Sequence, residues 1–124
     1  MRKLSSILGM IIAAALLPGA VAAAPAPAFT IELRGDCSAG LVATMTWANQ
    51  PGVKSFELVV DDGSTRDLGS SGGAKRSGSA TDSPRLAADV SHTFTARGIL
   101  RDRSGHILVD RTSSSVIGDC ALTR

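Results

Sequence analysis

The residues of this chain that could carry chemistry fall into short, separate groups. Gly69-Ser70-Ser71-Gly72-Gly73 fits the G-x-S-x-G spacing by which serine hydrolases lift a nucleophile onto a strained turn between a strand and a helix. Neither flank carries that strand-to-helix pattern, so a Ser/Gly loop is expected and not a nucleophile. His92 and His106 are the two histidines. A metal would need them to converge with carboxylates or thiolates, whereas the hairpin expected between them sets His92 far from its turn and His106 beside it. Asp61, Asp62 and Asp67 could face a cation, but they lack the alternating spacing and closing glutamate of a calcium loop. A solvated acidic turn is expected there. No nucleophile, base or metal set assembles, so neither catalysis nor a cofactor is expected.

Two groups could carry recognition. Arg34-Gly35-Asp36 is the tripeptide that some extracellular ligands present to integrins, and Cys37 beside it could constrain it. Gly35-Asp36 is also what a plain turn requires, and the turn is the preferred expectation. Arg97, Arg101, Arg103 and Arg111 are interleaved with Asp102 and Asp110. Mixed signs of this kind normally form cross-strand ion pairs on a wet face. The alternative is a small cationic patch for a glycan, an acidic partner or an envelope surface. With no tyrosine, and with Trp47, Phe56 and Phe94 expected inside, no aromatic platform remains on which sugars or bases could stack.

The elements that must position these groups read as strands. Leu41, Ala43, Met45 and Trp47 share one parity, and Phe56, Leu58 and Val60 share another beyond a break at Asn49 to Gly52, a pattern that predicts a central β-hairpin from Leu41 to Val60. Trp47, the one tryptophan, is the expected centre of the core. Phe29, Ile31 and Leu33 alternate in a first strand ending at Gly35-Asp36. Asp61 to Ser79 should form a weak edge strand and loop, and Ser79 to Thr81 a short strand. Phe94, Ala96 and Gly98 mark a later strand, which turns at Arg103-Ser104-Gly105 into one running from Ile107 past Thr112 to Cys120. About seven short strands with turn signals between them predict an all-β, two-sheet antiparallel sandwich.

The N-terminus sets the address. Met1-Arg2-Lys3, an apolar run from Leu4 to Leu17, a break at Pro18-Gly19 and small residues Ala20-Val21-Ala22 form the pattern of a secretory signal peptide, cut after Ala22. The run is shorter than the roughly 20 residues that span a bilayer, so no membrane span is expected in the mature chain. Residues 23–28 form a Pro/Ala tether and residues 29–124 the sandwich domain. Cleavage removes Arg2 and Lys3 from the 13 Lys and Arg and none of the 11 Asp and Glu, leaving the two signs balanced. Net charge therefore gives no ground for a nucleic-acid partner. Two cysteines, Cys37 and Cys120, remain in an exported chain and are expected to pair, the alternatives being free thiols or a bridge between chains. Pairing would stabilise the fold by about 4 kcal/mol in the chain-entropy model.

Trp47, Phe56 with Glu57-Leu58-Val59 after it, and the run Leu86-Ala87-Ala88-Asp89-Val90-Ser91-His92-Thr93-Phe94-Thr95-Ala96-Arg97 resemble the fibronectin type III pattern of immunoglobulin-like sandwiches, over about Leu41 to Thr112. Leu86 matches the leucine that precedes a corner tyrosine in that family, Phe94 and Ala96 match inward positions, and His92 stands in place of the tyrosine. The disulfide is a departure, and so is the missing corner hydroxyl. The resemblance implies that Cys37 and Cys120 share one pole and staple the sheets. It leaves three loops at the other: Asn49 to Val53, Gly72 to Lys75 and Arg101 to His106. Candidate binding residues there are Asn49, Gln50, Arg101, Asp102, Arg103 and His106. The function expected is a secreted, extracellular or periplasmic binding or adhesion module for a protein or cell-envelope component. The alternative is an inhibitor of an extracellular hydrolase that uses a protruding loop.

Overall fold

The computed structural model describes residues 25–123. The expected signal peptide, residues 1–22, lies outside the described residues. Among the described residues eight strands follow in order: β1 (Ala28–Asp36), β2 (Gly40–Ala48), β3 (Ser55–Asp61), β4 (Arg66–Gly73), β5 (Gly78–Asp82), β6 (Leu86–Arg101), β7 (Ile107–Thr112) and β8 (Val116–Leu122). They form two antiparallel sheets. One has the order β1-β2-β5, the other β4-β3-β6-β7, with β8 pairing on β6 beyond the end of β7.

Period-two alternation decides which residues face the interior. Leu41, Ala43, Met45 and Trp47 of β2 are buried, while Val42 and Thr46 between them are exposed. Leu58 and Val60 of β3 and Phe94, Ala96 and Leu100 of β6 meet them from the opposite sheet in one cluster. Val59 and Ile99 are also buried but have the outward parity and lie outside that cluster.

The expected hairpin between Leu41 and Val60 does not form. β2 bonds to β1 and β5, and β3 to β4 and β6, so the two arms lie in different sheets. Their apolar faces do meet, but across the sandwich rather than edge to edge. Alternation fixes the buried face of a strand and says nothing of its neighbour. Trp47 is buried at 4% exposure, yet it sits near the end of β2. Its ring packs 5.6 Å from that of Phe56, and its Nε1 donates to the Lys75 carbonyl at 2.7 Å. Met45, fully buried two residues earlier, occupies the middle of the strand.

The strand expected from Ile107 to Cys120 is broken in two. At the break the Ser113 N–H donates to the Ala96 carbonyl at 2.8 Å, and the Ser113 hydroxyl accepts the Ala96 N–H at 2.9 Å. A side chain thus replaces one carbonyl of the ladder, and pairing with β6 resumes at Val116.

Candidate functional site

The chain direction sends the connections to two poles. At one lie the turn after β1, the β3–β4 and β5–β6 connections and the end of β8. Cys37 and Cys120 form the disulfide there, with Cα atoms 5.8 Å apart, and it ties the end of β1 to β8 in the other sheet. Gly118 leaves room for it, since a Cβ at that position would collide with the Cys37 sulfur. A shallow cavity of about 220 Å³ beside it is lined by Leu86, Ala87, Ala88, Ser38, Asp119 and the cysteines.

Asp62 anchors this pole. It is 3% exposed. One carboxylate oxygen accepts the N–H groups of Ser64 and Thr65 at 2.9 and 2.6 Å, and the other accepts that of Leu122 in β8 at 2.9 Å. Burial alone would raise its pKa, but these three donors hold it below the usual carboxylate value. His92 is held at this pole by two acceptors. Its Nδ1 lies 3.2 Å from the Asp62 carbonyl and its Nε2 3.2 Å from the Asp89 carboxylate, and these two acceptors raise the ring's pKa.

The acids expected in a solvated turn are placed otherwise: Asp61 ends β3, Asp67 lies in β4 and Asp62 is buried between them. Asp61 accepts the Gly63 N–H at 2.6 Å, Asp67 accepts the Gly69 N–H at 2.9 Å, and Asp62 is saturated by donors. Among the described residues no group of three metal-capable side chains converges. Asp82 of β5 was not singled out by sequence reasoning. One of its carboxylate oxygens is buried without a partner, and burial, followed by the nearby Asp67 charge, raises its pKa. No spacing signals this pair, because its members come from opposite sheets.

Gly69 to Gly73 is strand rather than loop. Its first glycine occupies a bulge opposite Leu58 with φ of 62°, where a Cβ would sit 2.5 Å from the Leu58 carbonyl oxygen. Ser70 and Ser71 therefore lie along an extended edge and not on a nucleophile turn. Arg34, Gly35 and Asp36 are exposed and end β1 in register with β2. One Asp36 oxygen accepts the N–H groups of Ser38 and Ala39 and the Ser38 hydroxyl, so its carboxylate caps the turn.

The other pole gathers three loops, 49–54, 74–77 and 102–106. Backbone hydrogen bonds join them: Gln50 N–H to the Arg76 carbonyl at 2.9 Å, Ala74 N–H to that of Lys54 at 2.9 Å, and Lys54 N–H to that of Arg101 at 2.8 Å. Gln50, expected to be available for binding, is 7% exposed and donates through Nε2 to the Ala28 carbonyl. Asn49 is half-buried in a left-handed conformation, its N–H donating to the Ser77 hydroxyl. Arg101 pairs with Glu57 at 3.0 Å. Asp102 accepts the N–H groups of Ser104 and His106 at 2.8 and 2.9 Å, which lowers its pKa and stiffens the loop. Among the expected residues Arg103 and His106 are the exposed ones. Lys54 and Arg76, exposed on the neighbouring loops, were missed, and Lys75 was placed in an expected loop but not singled out as a binding residue.

No family model matches this sequence, and no curated protein or solved structure shows significant similarity to it.

The site is therefore defined by its electrostatics. Lys54, Lys75, Arg76 and Arg103 form no ion pair among the described residues, and the acids at their end, Glu57 and Asp102, are engaged with Arg101 and with the loop itself. The disulfide pole carries Asp36, Asp61, Asp62, Asp89 and Asp119 against Arg34, Arg66 and Arg85. Residues 25–124, balanced in total, are thus basic at one end and acidic at the other. Between them Arg97 and Asp110 form a two-point pair at 2.8 and 2.6 Å on the outer sheet face, as interleaved signs predict.

Proposed function

We propose that the chain is an exported, non-catalytic binding or adhesion module that engages an extracellular protein or cell-envelope component through the pole opposite the disulfide. The observation that carries this is the assembly of three loops from both sheets into one hydrogen-bonded surface bearing four exposed cations without acid partners. Loops on a stiff scaffold are common recognition sites. We place the domain among immunoglobulin-like sandwiches of fibronectin type III character. The order β1-β2-β5 facing β4-β3-β6-β7, with β8 continuing the last strand, supports that assignment. An intramolecular disulfide, and no helix among the described residues long and apolar enough to cross a membrane, are compatible with an extracellular setting.

The test is capture of partners from the envelope and medium of the secreting cell. The wild type is compared with a variant carrying Lys75→Ser, Arg76→Ser, Arg103→Ser and His106→Ser. Partners retained by the wild type alone are expected, and identical captures overturn the assignment. Turnover by the purified protein in an ester, peptide and glycoside panel would overturn the non-catalytic part.

A second role is favoured by the loop 102–106. Four hydrogen bonds close on Asp102: its carboxylate accepts the Ser104 and His106 N–H groups, its carbonyl accepts that of Gly105, and its own N–H donates to the His106 carbonyl, which presets the loop as an inhibitor of an extracellular hydrolase would require. Near-stoichiometric inhibition of a hydrolase would select this role over adhesion.

A further inference from the structure

We infer that the free edge of β7 takes up an extended, acidic and apolar segment of a partner protein, which adds to the five-stranded sheet beside the basic pole. Among the described residues β7 pairs with β6 alone, and no strand lies along its other backbone edge. Such an edge offers a row of donors and acceptors that an incoming chain can match. Its side chains make it unlike the other open edges. β4 presents glycine and serine along Gly69 to Gly73, β5 is short and polar, and β1 closes its exposed charges on themselves through Arg34 and Glu32 at 2.8 Å. β8 also bonds to β6 alone and exposes Ile117 at 69%, but it carries an exposed acid, Asp119, and no cation. β7 instead exposes Ile107 at 51% and Leu108 at 42%. Exposed cations stand on either side of them, Arg103 in the preceding loop and Arg111 in the strand, neither in an ion pair among the described residues.

Charge and apolar surface together select the partner. A polyanion bound by charge alone has no use for Ile107 and Leu108, and a sugar chain would want an exposed aromatic, whereas Trp47 is buried and Phe56 is packed against it. A protein segment that alternates carboxylates with branched apolar residues satisfies both features. Asp110, the one acid on β7, is already neutralised by Arg97 and does not oppose it. This inference rests on the binding role proposed above and adds the edge and the chemistry of the ligand.

The test uses the full mature chain with a synthetic strand-length peptide of alternating Glu and Val. Controls are the Lys/Val counterpart, oligo-glutamate of equal length, heparin and phosphatidylglycerol vesicles. Binding is read by fluorescence anisotropy and amide exchange. The Glu/Val peptide is expected to bind, to protect the β7 amides that do not bond to β6, and to lose about tenfold in affinity on either Leu108→Lys or Arg103→Glu. Both positions are exposed, and an unchanged denaturation midpoint separates loss of binding from loss of fold. Equal binding of oligo-glutamate, heparin or vesicles, or binding without protection of β7, overturns the inference. Should partner capture depend on the loop cations while the Glu/Val peptide fails to bind, the edge inference falls and the binding role stands. Capture that ignores the loops removes the binding role itself.

Discussion

His92 and Asp62 show how individual side chains set the pH response. Both ring nitrogens of His92 face acceptors, so only the doubly protonated ring donates to each. The folded state therefore raises its pKa above the ordinary 6.5, and the resulting stability is complete below that value and is lost as pH rises through the folded-state pKa. Denaturant titrations are expected to show this decline, and His92→Gln should abolish it. Asp62 has the opposite sign. Its lowered pKa gives stability that is present above 3.8 and lost as acid protonates it in the fold. Asp62→Asn puts an amide donor against backbone N–H groups and is expected to cost about 2 kcal/mol at neutral pH, by loss of charged hydrogen bonds in a buried site. Asp82 should behave in reverse, because ionising it beside Asp67 strands a buried oxygen. Asp82→Asn is expected to raise the neutral-pH denaturation midpoint, with the gain vanishing in acid.

At the scale of strands, the disulfide and the β8 register depend on each other. Gly118→Ala pushes a methyl group into the Cys37 sulfur and is expected to lower the thermal midpoint. In a Cys37→Ala, Cys120→Ala background most of that cost should disappear, a non-additivity readable by double-mutant cycle. Removing the disulfide, whose cysteines are 83 residues apart, should itself cost about 4 kcal/mol, measurable as a shift in urea midpoint. The cysteine pair and the faces of β2 and β6 were legible in the sequence, because both follow from local chemistry and alternation. The partnering of β2 and β3 was not. A connection of loop residues between two alternating runs serves a hairpin and a crossing between sheets equally well, and what decides is the competition of β5 and β6 for the same edges. Gln50 was misjudged for a related reason: a polar residue beside Pro51-Gly52 reads as exposed, while the fold turns it inward to the Ala28 carbonyl.

For the whole molecule, composition conceals the property that matters most. Residues 25–124 hold 11 Lys and Arg and 11 Asp and Glu, and in the sequence these signs are interleaved around the last hairpin. Folding separates them, because alternate connections go to opposite ends and the loops carrying Lys54, Lys75, Arg76 and Arg103 all go to one. Those residues, without net charge between them, should then have no long-range field from their total charge, yet present a positive end within a Debye length of any surface they approach, about 8 Å at physiological salt. Such a protein is expected to be retained on a cation exchanger at neutral pH despite its balanced charge, and to elute at modest salt. Lys75→Glu with Arg76→Glu should abolish that retention, while Arg34→Glu with Arg85→Glu, which changes the net charge equally at the disulfide pole, should leave most of it. If the two double variants elute together, the column senses total charge, and a distinct basic pole no longer explains how this fold would choose a partner.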